Sequence, residues 1–364
     1  MKANIALLPG DGIGPEVTDA AACVLSAVAS AAGHTFDFSE SAIGGCAIDA
    51  FGSALPDATR SACLDADAVL LGAVGGPDWS DPKARVRPEQ GLLDLRSALG
   101  VYANLRPVRL HPRPAGFSPV KAERLAGVDL MFVRELTGGS YFGRRTRDAS
   151  SASDECRYTV TEIERVLRRG FELARNRRGL LTSIDKANVL ETSRLWRETA
   201  IRIAADYPDV TLEHQLVDSM AMLLISQPAR YDVLVTENLF GDILTDEAAV
   251  LAGSLGLLPS ASLGDGKRGL YEPIHGSAPD IAGKQWANPL GSILSAALLL
   301  RHSLGLEAEA TAIESAVSKV LDRNELTRDL GGKASTVQIT DAVIDAVRES
   351  SRQIKQSASR QAAA

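Results

Sequence analysis

Apolar and polar positions fall in blocks along this chain, with short all-apolar runs giving way to longer stretches of helical spacing. Asn4–Leu8 reads as a buried strand, Pro9–Gly14 as a glycine-rich turn, and Glu16 to Ala29 as an alanine-rich helix. Ala68–Leu71 is another apolar strand, followed by a turn over Gly72–Pro77. Val128–Val133 and Tyr231–Thr236 repeat the strand pattern, with helical stretches at Thr161–Arg175 and Asn188–Tyr207. Strands without a polar face, separated by helices, predict an α/β protein with a largely parallel, twisted sheet. From Ser350 to Ala364 the chain is rich in Ser, Gln and Ala and lacks an apolar stripe, so a frayed or disordered tail is expected.

The length of 364 residues points to two domains at roughly 100–200 residues each. Lys and Arg total 39 against 46 Asp and Glu, a net charge of −7. That balance offers no general basic field for nucleic acid or an anionic membrane, so an anionic ligand would need a local group of arginines. The four cysteines (Cys23, Cys46, Cys63, Cys156) form no C-x-x-C pair and read as reduced thiols. The apolar opening is too short for a signal peptide, and Leu290–Leu300 is too short to span a bilayer. A cytoplasmic protein is expected.

Gly10-Asp11-Gly12-Ile13-Gly14 lies between a strand and a helix, where a dinucleotide fingerprint would sit, but its spacing is G-x-G-x-G. No acidic residue ends a clear second strand about 20 residues on, so a tight turn packed under a helix is the better reading. Five other segments could bear chemistry. Helix-prone Arg87–Arg96 places Glu89, Leu92, Leu93 and Arg96 on one face, and Arg106 and Arg134 follow downstream. Taken singly, each of these arginines is more often an ordinary snorkelling or surface group. Thr137-Gly138-Gly139-Ser140-Tyr141 could bring backbone near a ligand and offer a phenol as proton donor.

Lys186, in a Ser/Asp/Asn-rich turn at a helix start, could move protons, or could simply pair with Asp185. Asp242 and Asp246 stand at i and i+4, a spacing that is unfavourable for like charges unless a hard cation such as Mg²⁺ or Mn²⁺ lies between them. Asp218 is a third candidate, while two carboxylates favouring a helix dipole is the plain alternative. Finally, Glu272 through Lys284, continuing to Asn288, is dense in turn residues over a length that suits a ligand-shaped loop.

Taken in order from Leu8-Pro9-Gly10-Asp11-Gly12-Ile13-Gly14-Pro15-Glu16 to about residue 345, these segments resemble the isocitrate/isopropylmalate family of β-decarboxylating dehydrogenases. The resemblance implies a two-domain α/β fold with a non-Rossmann nucleotide site. The first domain would be discontinuous, 1–101 plus 254–349, and would bind NAD. The second, 102–253, would hold dimerisation helices and an inter-subunit arm at about 135–160. Arg96, Arg106 and Arg134 would bind malate carboxylates through charge-assisted hydrogen bonds. Asp218, Asp242 and Asp246 would hold Mg²⁺ or Mn²⁺, and Asp218 would also touch the substrate.

In the same reading Lys186 is the base, Tyr141 the acid, and Lys186 and Asp218 come from the partner of a homodimer with shared sites. The NAD set would be Gly76, Glu89, Glu272, His275, Gly276, Ser277, Ala278, Asp280, Ile281 and Asn288. Asp280 would meet the adenosine ribose and repel the extra phosphate of NADP. The implied reaction is oxidation and decarboxylation of (2R,3S)-3-isopropylmalate to 4-methyl-2-oxopentanoate in leucine biosynthesis, the alternative being another 3-alkylmalate, tartrate or malate.

Glu89, Leu92 and Leu93, with Val189 from the other subunit, would line the pocket for the third substituent. Burying an isopropyl group there is worth roughly 2 kcal/mol, whereas an unpaired third carboxylate against two leucines would cost several. Three features depart from the family pattern: the basic run Arg144-Arg145-Thr146-Arg147, Ser140 where an apolar residue is common, and the arm residues from Asp148 to Tyr158.

Overall fold

The computed structural model describes residues 1–81 and 84–362, the side chains from 350 onward excepted. Its strands are β1 (Lys2–Gly10), β2 (Thr35–Glu40), β3 (Ala68–Ala73), β4 (Ala103–Arg109), β5 (Asp129–Glu135), β6 (Arg145–Arg147), β7 (Ala152–Asp154), β8 (Leu180–Asp185), β9 (Thr211–Leu216), β10 (Val233–Thr236), β11 (Pro259–Leu263) and β12 (Gly269–Pro273). The chain divides into two compact units, Met1–Gly100 with Ser254–Ala364, and Val101–Gly253.

In the first unit the strands run in the order β2-β1-β3-β12-β11, parallel except for the β11–β12 hairpin. β3 is buried along its whole length, which is why its sequence carries no polar alternation. Helices Gly14–Ala32 and Leu290–His302 pack on one another beside these strands. The second of these accounts for the apolar run at Leu290–Leu300: ten of its residues are buried, as in a helix covered on all sides. The last helix, Thr336–Ala362, packs on the first. The expectation of a disordered tail falls on residues whose side chains lie outside the described set, and the backbone there is helical through Ala362.

In the second unit the order is β4-β5-β10-β8-β9, with β4 and β5 antiparallel and the other pairs parallel. One hydrophobic cluster joins Leu130 and Phe132 of β5, Leu234 of β10, Leu224 of helix Val217–Ser226, and Leu244 of helix Asn238–Ala249. That packing fixes both helices beside the strand ends. β6 and β7 form a separate, fully exposed hairpin. Lys186 follows β8 directly, and the next helix opens only at Glu191, not at Asn188 as the spacing suggested. A turn closed by Val189 and Leu190 N–H on the Lys186 carbonyl takes up the intervening residues.

Candidate active site

The glycine-rich turn after β1 is filled by the chain itself. A Cβ at Gly12, whose φ is +57°, would lie 2.0 Å from the Ser277 carbonyl oxygen, and Ile13 N–H donates to that oxygen at 2.8 Å. The close approach that glycine permits here is therefore to protein backbone, where a Rossmann turn would admit a pyrophosphate. Asp11, buried in the turn, accepts from the N–H groups of Gly45, Cys46 and Gly75, each at 2.8 Å. It fastens the turn to two neighbouring segments.

The loop beyond β12 borders a cavity of 360 Å³ lined by Ile13, His275, Ala278, Ile281 and Asn288, together with Trp286 and Arg328. Burial holds the His275 imidazole below its usual range. Ser277 and Asn288 are buried, while Gly276 and Asp280 are exposed. Glu272, expected near the nucleotide, is on β12 and accepts from Arg96 at 2.7 Å, both side chains being about 10% exposed. Arg96 lies on helix Pro88–Leu99. On that helix Leu92 packs partly into the core, Leu93 is half-buried, and Glu89 is exposed, with its carboxylate close to Gly75. Gly76 is partly exposed.

The second unit gathers the densest charge. Arg106, on β4, donates to Asn104 at 2.8 Å and Thr245 at 2.6 Å, and stands 3.5 Å from Asp246. Arg134, 3% exposed on β5, donates to Asn238 and Asp242. Tyr141 donates to the other oxygen of Asp242 at 2.6 Å. Burial, followed by the Asp242 hydrogen bond and charge, pushes the Tyr141 phenol up to about 12, so it keeps its proton through the neutral range. Glu135 holds the turn that bears Tyr141, accepting from Thr137 N–H at 2.9 Å and Gly138 N–H at 2.8 Å.

Asp242 and Asp246 are one turn apart on helix Asn238–Ala249, as their spacing required. Lys186 donates to Asp218 at 2.6 Å, and that hydrogen bond holds the Asp218 carboxyl below its ordinary range. Asp185, the other possible partner of Lys186, is buried and taken by Arg197 through two bonds of 2.8 Å. Val189 is exposed. Among the described residues no three His, Cys, Asp or Glu side chains converge as a metal cage. Asp242 and Asp246 offer a pair of hard oxygen donors whose mutual repulsion a divalent cation would relieve, so the residues fit such an ion if a further donor comes from another copy.

Sequence reasoning missed Thr245, Asn104 and Asn238, all buried and bonded to the two arginines. The only signal for them was their place beside the candidate charged residues in the segments that carry Arg106, Asp242 and Asp246.

The isocitrate/isopropylmalate dehydrogenase family model matches residues 4–347. The 3-isopropylmalate dehydrogenase of Anaeromyxobacter dehalogenans is 59% identical over 349 residues, covering 94% of this chain and 99% of its own. That of Bacillus subtilis is 55% identical over 356 residues, covering 95% and 98%. Among solved structures, isocitrate dehydrogenase from Methylococcus capsulatus superposes with a TM-score of 0.85 at 36% identity, covering 95% of this chain and 99% of that one. With a family match over residues 4–347 and relatives this similar, the chain belongs to the isocitrate/isopropylmalate dehydrogenase family.

Proposed function

We propose that this chain catalyses the oxidative decarboxylation of (2R,3S)-3-isopropylmalate to 4-methyl-2-oxopentanoate with reduction of NAD, as a cytoplasmic homodimer serving leucine biosynthesis. The observation that carries this reading is the group of Arg106, Arg134, Asp242, Asp246 and Tyr141, in which two buried guanidinium groups meet a carboxylate pair and a protonated phenol. The close relatives named for this substrate support the same choice.

Arg106 and Arg134, with Arg96, bind the two malate carboxylates through their fixed donor forks. Lys186 of the second copy takes the C2 hydroxyl proton, and Tyr141 returns a proton to the enol left after CO₂ departs. When bound, NAD supplies the hydride acceptor, and Mg²⁺ or Mn²⁺ held by Asp242, Asp246 and Asp218 of a second copy supplies Lewis-acid polarisation of the C2 oxygen. The loop His275–Asn288 takes the adenosine half, with the carboxylate of Asp280 opposing a 2′-phosphate. Dimerisation is supported by exposed apolar residues on and beside helices Val217–Ser226 and Asn238–Ala249: Met222, Ile225, Leu239, Ile243 and Val250. Among the described residues no helix is long and apolar enough to cross a membrane.

The test is NADH formation with 3-isopropylmalate and MnCl₂, beside isocitrate, malate and tartrate, with NADP in parallel. Metal-dependent turnover with NAD and 3-isopropylmalate is expected. Isocitrate should be a poor substrate because half-buried Leu93 leaves its third carboxylate without a partner. Preference for isocitrate or tartrate would overturn the substrate and keep the chemistry.

Gly241→Ala provides a second check on the arginine group. A Cβ there would sit 2.7 Å from Arg134 Cγ and 3.0 Å from its Cβ, so the stem of Arg134 must move. We expect kcat/KM for 3-isopropylmalate to fall on the order of 100-fold, the usual scale for a misplaced binding group. Normal kinetics in this variant would argue against a substrate role for Arg134.

A further inference from the structure

Asn238 stands between the guanidinium that the proposed reaction uses and the turn that bears its acid. Its side-chain oxygen accepts from both Nε and Nη2 of Arg134, at 3.1 and 2.8 Å. Its amide nitrogen donates to the Gly138 carbonyl at 3.3 Å, one residue before the turn Gly139–Tyr141. Its backbone N–H donates to the Tyr158 hydroxyl at 3.0 Å, and that hydroxyl donates to Glu237 at 2.9 Å. Asn238 is 1% exposed.

An Asn at a helix start ordinarily caps the helix. Here Glu237 does that, accepting from Phe240 N–H at 2.8 Å, and the Asn238 side chain is committed elsewhere. The chemistry of an amide suits this place. A guanidinium is a planar fork of five donors whose use depends on its rotation. Asp242 already accepts from Nη1 of Arg134, so a neutral carbonyl on Nε and Nη2 completes the fixing of that rotation without adding a second negative charge, whereas a second carboxylate there would compete with the substrate.

We propose that Asn238 is a positioning residue, which sets the rotation of Arg134 and, through Gly138, ties it to the turn that presents Tyr141. The inference rests on the reading of Arg134 as a substrate-carboxylate ligand. It adds a determinant of substrate affinity that touches no substrate atom.

The experiment uses the full-length protein with 3-isopropylmalate, NAD and MnCl₂, and compares Asn238→Ala, Asn238→Asp and Arg134→Lys with the Asn238→Ala/Arg134→Lys double variant. Asn238→Ala should raise KM for 3-isopropylmalate about tenfold, as expected on losing hydrogen bonds to a charged group, and change KM for NAD less than about twofold. Asn238→Asp has the same shape and keeps the acceptor, so a purely packing role would leave its KM near wild type; our reading has KM rise at least as far as in Asn238→Ala. In the Arg134→Lys background the Ala substitution should add less than about twofold, because residues that act through one another are non-additive.

Should Asn238→Ala fail to fold, the isosteric Asp variant carries the test alone. A wild-type KM in Asn238→Asp, or full additivity in the cycle, overturns the inference while the proposed function stands. Wild-type protein silent on 3-isopropylmalate overturns the proposed function and this inference together.

Discussion

Lys186→Ala is expected to lower kcat by about 10²–10⁴-fold, the range that a positioned proton-transfer group contributes. The fold places this lysine by two commitments of its neighbours. β8 delivers Asp185 into the interior, where Arg197 pairs with it, so the next residue emerges with no carboxylate competing from behind. Its ammonium then reaches Asp218 at the start of helix Val217–Ser226, which follows β9, the strand paired with β8. Strand register thus brings the two residues together, although the Asp218 side chain itself is exposed.

Lys186→Arg separates charge from proton transfer. A guanidinium preserves the cation beside Asp218 but does not give up a proton in the working pH range. If Lys186 is the base, Arg is as poor as Ala while KM for NAD stays near wild type. An Arg variant that keeps more than about a tenth of wild-type kcat would assign Lys186 a charge role only.

What could be read from sequence followed physical regularity. Apolar runs such as Ala68–Leu71 and the Val233–Val235 centre of Tyr231–Thr236 announce buried strands, and the structure places β3 (Ala68–Ala73) and β10 (Val233–Thr236) there. The i, i+4 rule likewise puts Asp242 and Asp246 on one helical turn. β4 was illegible because its sequence, Ala103–Arg109, buries Asn104 and Arg106, and a pattern rule assigns such residues to the outside. Arg106 bonds Asn104 two residues away and Thr245 far along the chain, and the second of these partners is a long-range fact that no local window holds. β8 was missed for the same reason. Its Thr182 and Ser183 look like turn residues, yet both are buried, and their partners are Glu213 and Trp196.

Spacing and the lack of a downstream acid at a clear strand end make a tight turn the better reading of the glycines after β1. Only the structure supplies the positive reason for its glycines, which is contact with Ala73 and Ser277 backbone. Of the candidate site, the charged residues were legible one at a time as types in a pattern. The buried amides and hydroxyls that aim them were not.

Asp242→Asn and Asp246→Asn should both abolish metal-dependent turnover yet part company in stability. Burial raises the Asp242 carboxyl, but Arg134, the Tyr141 hydroxyl and Arg106 outweigh it, and its net position is below the ordinary carboxylate range. The folded form therefore binds this proton less tightly than the unfolded chain. Its stabilising contribution is complete above the ordinary range and lost as pH falls through the lowered value. At neutral pH, Asp242→Asn leaves Arg134 buried beside a neutral amide. Because Asp242 is itself 37% exposed, water softens the loss, and we expect about 1–3 kcal/mol of destabilisation.

Asp246 behaves oppositely. Burial and the Asp242 charge raise its carboxyl against the pull of Arg106. The folded state holds that proton more tightly than the unfolded chain, so the contribution favours folding at low pH and disappears as pH rises through the raised value. A neutral Asn at 246 therefore removes a repulsion at pH 8 and should leave the metal-free Tm unchanged or higher. Adding MnCl₂ reverses the order. Wild-type Tm should climb with metal concentration, by mass action about 2.7 kcal/mol at 100 times Kd, and climb more at pH 8 than at pH 5, while both Asn variants lose the gain. Calorimetry of the three proteins with and without MnCl₂ at the two pH values reads this without reference to turnover. An Asp246→Asn protein stabilised by Mn²⁺ as strongly as wild type would remove Asp246 from the metal site.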